Sequence, residues 1–164
     1  MRYAERIAYS MGVMLALLTT TAQADTSLKF HGTLVVVECT INSNTKQTVD
    51  FGDAVGIHRV DGKRYEQPVP FTLSCQNYAG GDVPALTLKL EGTATTFNDA
   101  AVATNVNGLG IELRRNGVAQ PLNKAISLDY KAVPVLTAVP VADPAVDLNA
   151  QSFTGTVKLT VEVA

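Results

Sequence analysis

Apolar and polar residues alternate strictly along the final twelve residues of the chain, 153–164. One set of alternate positions holds Phe153, Gly155, Val157, Leu159, Val161 and Val163, and the other holds Thr154, Thr156, Lys158, Thr160 and Glu162. A period of two is typical of a β-strand with one buried face and one solvated face. The pattern therefore predicts a last strand whose apolar face requires a covering partner.

A similar alternation begins near the other end, where polar residues separate Leu28, Phe30, Gly32 and Leu34. The apolar run at residues 35–37 then interrupts the period. We predict one long strand over residues 25–41, which becomes more buried in its second half. Because glycine inside a strand marks a close approach of a partner, Gly32 is the position where a neighbour is expected.

Between these two stretches, short alternating segments recur every ten to fifteen residues, with turn residues between them. The strongest hairpin signal is Asn116-Gly117. Pro70, inside the alternating segment that ends at Cys75, predicts a strand edge or a bulge. No segment shows the period of an amphipathic helix. The chain is therefore predicted to be all-β, a single antiparallel sandwich of immunoglobulin type.

The first 24 residues are excluded from that domain. Arg2 and Arg6 precede an apolar run at residues 7–18, and Ala22-Gln-Ala24 is a small-residue cleavage site. These features together are typical of a secretory signal peptide. We therefore expect signal cleavage after Ala24 and an exported domain at residues 25–164.

The chain has two cysteines, Cys39 and Cys75. An even pair in an exported protein is expected to be oxidised, which predicts a structural disulfide. His31 and His58 are the only histidines, and neither stands at metal-ligand spacing from a cysteine. No metal site and no cofactor are predicted.

The charged residues do not indicate catalysis or nucleic-acid binding. The chain carries a net charge of −2, and no basic cluster exceeds Arg114-Arg115, which adjoins the predicted hairpin and is interpreted as a solvated tip. No arrangement of Ser, His and Asp follows from the spacing of these residues. We predict that the protein is not an enzyme and has no catalytic residues.

The order of several pieces resembles a known family. The pieces are Leu28-Lys-Phe-His-Gly-Thr-Leu34, Cys39-Thr-Ile41, Val49-Asp-Phe-Gly52, Pro70-Phe-Thr-Leu-Ser-Cys75, Gly110-Ile-Glu-Leu113 and the closing alternating strand. Together they resemble the pilin subunits of chaperone–usher fimbriae, especially the minor and tip-adaptor subunits of type 1 and P pili. The resemblance covers the whole of residues 25–164.

The resemblance implies an incomplete immunoglobulin-like sandwich that lacks its last strand and keeps a groove beside the C-terminal strand. It implies that residues 25–35 form a donor-strand extension, with Leu28, Phe30, Gly32 and Leu34 offered to the preceding subunit. The implied acceptor groove consists of Val35, Val37, Phe153, Val157, Leu159, Val161 and Val163. The carboxylate of Ala164 would be anchored by a chaperone, although Val163 stands where family members usually carry an aromatic residue.

The function implied is that of a structural subunit of an adhesive fimbria, polymerising by donor-strand exchange. Its implied partners are other fimbrial subunits, a periplasmic chaperone and an outer-membrane usher, and its destination is the bacterial cell surface. The alternative is an exposed adhesin or ligand-binding module at the fimbrial tip. For residues 25–34 two other arrangements stay open: the first strand of a complete sandwich, or a strand folded back into the chain's own groove.

Overall fold

The computed structural model describes residues 27–34, 36–76 and 85–163, so the predicted signal segment 1–24 lies outside the described residues. The chain divides into two units, one that includes the described residues 27–33 and one over residues 34–164. The described part of the second unit contains ten strands: β1 Glu38–Ile41, β2 Gln67–Val69, β3 Leu73–Gln76, β4 Leu86–Glu91, β5 Ala101–Ala103, β6 Leu109–Arg115, β7 Val118–Ala119, β8 Ala125–Leu128, β9 Leu136–Ala142 and β10 Lys158–Val163.

The strands form antiparallel sheets, as the alternation predicts. One sheet has the order β2-β9-β6-β5, with β7 paired to the end of β6, and a second has the order β10-β4-β8. The strands β1 and β3 form a separate ladder. A single-turn 3-10 helix at Ile57–Arg59 and a left-handed turn at Asn42–Asn44 complete the regular structure. None of the helices in the described ranges has the length and apolar character needed to cross a bilayer. The predicted all-β class is confirmed.

The core lies between the two larger sheets. Leu86, Leu88 and Leu90 of β4 are at most 1% exposed, whereas the alternate residues of that strand are half-buried on the outer face. The buried leucines belong to one cluster with Ile111 and Leu113 of β6. Fully burying a leucine side chain contributes about 1.5–3 kcal/mol. The period of two in this strand therefore fixes which of its faces is in the core.

Pro70 divides a predicted strand between two sheets. Before it, β2 pairs with β9; after it, β3 pairs with β1. Asn42 bridges the interruption, because its amide donates to the Pro70 carbonyl at 2.8 Å and its side-chain oxygen accepts the Thr72 N–H at 2.8 Å. Proline cannot donate to a ladder, so the chain changes sheets where that donor is missing.

The prediction of one long strand over residues 25–41 is wrong in extent. Of the described residues in that range, only Glu38–Ile41 form a strand, and residues 27–34 have no assigned secondary structure. β1 forms because β3 offers it four paired positions, from Glu38↔Gln76 to Ile41↔Leu73. Alternation predicts an extended conformation but does not identify the strand that will pair with it.

The hairpin at Asn116-Gly117 is confirmed, since it joins β6 to β7 and both residues have the positive φ angles, 51° and 78°, of such a turn. The interpretation of Arg114 as a solvated tip residue is wrong. Its side chain is only 20% exposed, and it donates to Glu112 Oε1 at 2.8 Å and to the Gly62 carbonyl at 2.6 Å. Because successive side chains of β6 point to opposite faces of the sheet, Arg114 lies on the outer face, next to the chain segment at Gly62.

Candidate functional site

A groove of about 1400 Å³ runs beside β10. One wall is β10 together with residues 149–157, and the opposite wall is residues 44–53 together with Cys39 and Ile41 of β1. The floor consists of core side chains from the larger sheet: Val102, Leu109, Ile111, Leu113 and Ala138. We call this feature the β10 groove. The groove is therefore an opening in the sandwich whose floor is part of the core.

β10 is an edge strand. It pairs with β4 along one side, from Lys158↔Glu91 to Val163↔Leu86, and within the described residues no strand pairs with its other side. β1 contacts β10 without pairing with it. An edge strand leaves a row of backbone N–H and C=O groups that can accept another strand.

The opposite wall is also unpaired. Residues 45–50 have no assigned strand. Two backbone N–H groups in this wall donate hydrogen bonds: that of Thr45 to the Asn42 carbonyl at 2.9 Å, and that of Gly52 to Asp50 Oδ1 at 2.8 Å. Backbone polar groups that become buried require partners. Two unpaired backbone segments therefore line the same groove above an apolar floor, which is the requirement for a strand inserted between them.

A left-handed turn sets the start of the opposite wall. Asn42, Ser43 and Asn44 have φ angles of 47°, 51° and 59°. Asparagine adopts this region more readily than most residues, because its short polar side chain bonds locally. Here the Asn42 side chain makes the bonds to Pro70 and Thr72 described above. The turn ends the β1 ladder and leads the chain into the wall.

The groove narrows at the beginning of the β10 wall. The rings of Phe51 and Phe153, one from each wall, lie 5.8 Å apart between centroids. Two residues further on, Gly155 bridges to Thr104, and a Cβ at this glycine would lie 3.2 Å from Ile111 Cδ1 and 3.4 Å from the Ala103 carbonyl oxygen. A side chain at this position would require its neighbours to shift by a few tenths of an ångström where the wall crosses the larger sheet.

The structure brings together four of the predicted groove residues. Phe153, Val157, Leu159 and Val161 are half-buried and line the groove. Two others do not line it: Val37, which precedes β1, and Val163, which is 44% exposed at the end of β10. The predicted contributions of Val35 and Ala164 fall outside the described residues.

Sequence reasoning missed the opposite wall and the floor. The short alternation Val49-Asp-Phe51 predicts an extended segment, but nothing in it indicates that this segment faces β10. The floor residues come from three strands distant in sequence, β5, β6 and β9. Their meeting depends on the register of the larger sheet, which the alternation of one strand does not specify.

The predicted donor residues lie in an exposed segment. Leu28, Phe30 and Leu34 are 76, 89 and 101% exposed, and a Cβ at Gly32 would have nothing within 4 Å. Single exposed apolar side chains are ordinary, but three large ones in seven residues form a candidate contact surface.

The predicted disulfide is confirmed, because Cys39 and Cys75 are directly opposite in the β1–β3 ladder and are joined. Among the side chains of the described ranges, no group of three His, Cys, Asp or Glu is arranged to hold a metal ion.

A charged cluster on the outer face fastens β10 to β4. Glu91 lies 2.9 Å from Lys89 Nζ, accepts a hydrogen bond from Thr160 Oγ1 at 3.1 Å and lies 3.4 Å from Lys158 Nζ. These partners favour the charged carboxylate and lower the pKa of Glu91 to about 2, with Lys89 as the largest cause. In turn Glu91 raises the pKa of Lys89. Glu91 therefore remains ionised in moderately acidic surroundings.

We expect Glu91→Gln to lower the urea midpoint of unfolding at pH 7. The ordinary pKa of this carboxyl is 4.5 and the folded value is about 2, so its contribution is complete above pH 4.5 and is lost as the pH falls towards 2. The difference between variant and wild type should therefore shrink across that interval. Glu38→Gln is the matched control, since Glu38 is exposed and has no ion pair within the described chain. A pH-independent difference would contradict this assignment.

Comparisons with known proteins agree with this architecture. A family model described as "Fimbrial protein" matches residues 28–164. The fimbrial-like protein YfcQ of Escherichia coli K12 is 34% identical over 143 residues, which cover 85% of this chain and 88% of that protein. The fimbrial adapter PapF of Escherichia coli is 30% identical over 118 residues, covering 71% of this chain and 68% of PapF.

Two solved structures show the same fold. The P pilus adaptor subunit PapF superposes with a TM-score of 0.55 at 25% identity, covering 77% of this chain and 95% of PapF. The P pilus rod subunit PapA superposes with a TM-score of 0.57 at 19% identity, covering 84% of this chain and all of PapA. The latter identity is low, so PapA supports the fold alone.

Proposed function

Since this chain belongs to the fimbrial protein family and is a structural subunit of a polymerised pilus rather than an enzyme, we propose that it polymerises by donor-strand exchange. In this proposal the β10 groove accepts an extended segment from a neighbouring subunit. The chain's own residues 25–34 fill the groove of the subunit on its other side. Each subunit then supplies one strand and receives one.

The observation that carries the proposal is the pair of unpaired backbone edges in the β10 groove. An inserted strand would receive hydrogen bonds from β10 on one side and from the opposite wall on the other, and its alternate side chains would contact the apolar floor. Phe153, Val157, Leu159 and Val161 are already at the groove surface and only half-buried. A strand that covers them completes the sandwich without rearranging its core.

The exposed segment has the composition that this groove requires. Burying Leu28, Phe30 and Leu34 in a neighbour contributes about 1.5–3 kcal/mol for each side chain, before the cost of ordering the segment. Gly32 interrupts the series of large side chains and permits close approach to the neighbour's backbone. Val35 and Val37 would form the connection between the donated strand and β1.

The open groove also bears on how the subunit is delivered to the fibre. An open apolar groove beside an edge strand promotes aggregation unless another chain covers it. We propose that a periplasmic chaperone covers the groove and binds the carboxylate of Ala164, and that an outer-membrane usher then passes the subunit to the growing pilus on the bacterial cell surface. The position proposed for this chain is that of a minor or adaptor subunit, following its similarity to PapF.

The substitution Gly32→Leu tests the proposed donation. Because nothing lies within 4 Å of a Cβ at Gly32, the substitution should leave the stability of the chain itself unchanged. In a neighbour's groove the added side chain overpacks the interface by about 1–3 kcal/mol. We expect the amount of full chain recovered in sheared fimbriae to fall about tenfold or more, whereas Thr33→Leu should incorporate nearly normally.

Equal incorporation of Gly32→Leu and the wild type would contradict the assignment of this segment as a donor. An equal defect in Thr33→Leu would also contradict it, because Thr33 occupies the alternate face of an extended segment. The periplasmic level of each variant, measured by immunoblot, separates a defect in assembly from a defect in export.

A further inference from the structure

The densest group of exposed cations in the described chain lies in the loop at residues 58–64, whose cationic side chains are not among those that line the β10 groove. This basic loop, His58-Arg-Val-Asp-Gly-Lys-Arg64, carries three cations and a histidine, and His58, Arg59, Lys63 and Arg64 are all exposed. Its one acidic residue is Asp61, which lies 3.4 Å from Arg64 Nη1. The basic loop is therefore net positive, although the whole chain carries a net charge of −2.

The basic loop is held against the outer face of the larger sheet. Asp61 bridges to Val141 of β9, and the Gly62 carbonyl accepts a 2.6 Å hydrogen bond from Arg114 Nη2. Asp61 Oδ1 accepts the backbone N–H groups of Lys63 at 3.0 Å and Arg64 at 2.9 Å. These bonds use the backbone and the one acidic side chain, so Arg59 and Lys63 remain available. Because the backbone of the loop is held in place, ligand binding would cost less conformational entropy.

The backbone at the end of the basic loop is strained. Tyr65 has a φ of 65°, a left-handed conformation that is a genuine outlier for a bulky residue. Its hydroxyl accepts the Gly56 N–H at 3.2 Å, which joins the two ends of the loop. Such strain concentrates at ligand-binding segments. In this loop it closes the segment that projects the four basic side chains.

The shape of this region favours an extended ligand. A shallow cleft of about 330 Å³ adjoins the basic loop, with Val60, Asp61 and Gly62 on one side and Phe97 and Asn98 on the other. Its lining includes no cationic side chain, so it is not an enclosed site for a single anion. The cations stand instead on the exposed loop beside it. An extended polyanion can contact several of them at once.

The surrounding surface argues against membrane insertion. A loop that inserts into a bilayer interface presents large apolar side chains beside its cations. The large hydrophobic residues that are exposed in the described chain are Leu28, Phe30, Leu34, Val36, Val118, Val133, Val135 and Val163. None of them belongs to the basic loop.

We propose that the basic loop binds a linear anionic polysaccharide through the sulfate or carboxylate groups along it. Arg59, Lys63 and Arg64 would supply the charge. The cleft beside Phe97 would contact the sugar backbone, since a half-buried aromatic side chain offers an apolar surface. Arg59, Lys63, Arg64 and Phe97 do not line the β10 groove, although Val60 of the same loop does.

The test measures binding of the full chain, with its disulfide intact, to immobilised heparin, to polygalacturonate and to neutral dextran. We expect binding to one or both charged polymers, weakening as salt is raised, and no binding to dextran. The triple variant Arg59→Gln/Lys63→Gln/Arg64→Gln should lose about tenfold or more in affinity for the charged polymer. The matched control Arg115→Gln/Lys124→Gln/Lys131→Gln removes the same charge elsewhere and should retain most of the affinity.

Three outcomes would overturn the proposal. Failure of the wild type to bind either charged polymer, or an equal loss in the two triple variants, would show that the basic loop is not a specific site. Salt-sensitive self-association that the loop variant abolishes, without polymer binding, would make the loop a contact between copies of this chain. Retained binding to heparin but not to polygalacturonate would assign the ligand groups as sulfates.

Discussion

Removal of residues 25–34, with the signal segment kept, is expected to leave the domain folded and to abolish its incorporation into fimbriae. The domain should fold because its core lies between the two larger sheets, which begin far downstream. Incorporation should be lost because the removed residues include the three exposed apolar side chains that a neighbour would bury. Together they represent roughly 5–9 kcal/mol of transfer free energy. Sheared fimbriae and periplasmic extracts, compared by immunoblot, give the result.

A full-length variant makes this prediction more specific. Changing Leu28, Phe30 and Leu34 to serine keeps the length of the segment and removes its apolar surface. These side chains are 76, 89 and 101% exposed, so the unfolding midpoint of the chain should not change. The same loss of incorporation is expected. Normal polymerisation of either variant would show that another segment supplies the donated strand.

Loss of the disulfide should produce the largest change in stability. The bond joins Cys39 to Cys75 across 36 positions, and the chain-entropy model gives a contribution of about 4 kcal/mol for a loop of that size. We expect Cys39→Ala/Cys75→Ala to lower the urea midpoint by about 2 M, given a denaturant slope of about 1–3 kcal/mol per M. The effect should reach the groove, because β1 forms part of its opposite wall.

Ser74→Ala is the control for the disulfide variant. Ser74 is the exposed neighbour of Cys75 in β3, so its substitution tests local disturbance of the strand without removing the bond. Thiol titration of the wild type should find no free thiol. An unchanged midpoint in the double variant would mean that the four backbone pairs between β1 and β3 suffice to hold the wall.

Much of the fold could be predicted because alternation reports burial directly. In β4, three leucines alternate with polar residues, and the structure shows that these three leucines are buried. In β10 the same pattern identifies the groove-lining positions Leu159 and Val161. The hairpin at Asn116-Gly117 follows from the φ angles that these two residues tolerate. Each of these features depends on local sequence.

The remainder depends on contacts between distant residues. The strand predicted across residues 25–41 is limited to β1 because only that part pairs with β3. Arg114 looks solvated from its neighbours in sequence, yet a chain segment 52 residues away crosses it and accepts its hydrogen bond. The grouping of cations in the basic loop could not be predicted for the same reason. Its cations are separated in sequence by Val60, Asp61 and Gly62, and the bonds that hold them together involve β6 and β9.

The assignment of the β10 groove as an acceptor for another chain is tested most directly by photo-crosslinking in cells that assemble fimbriae. A photoreactive phenylalanine analogue at Val157 lines the groove, and one at Ser127, exposed on β8, serves as the control. We predict that the probe at Val157 forms a covalent product in isolated fimbriae with the N-terminal segment of another fimbrial subunit, and that the control does not. Products confined to this chain's own residues 25–34, or no intermolecular product at Val157, would contradict the account.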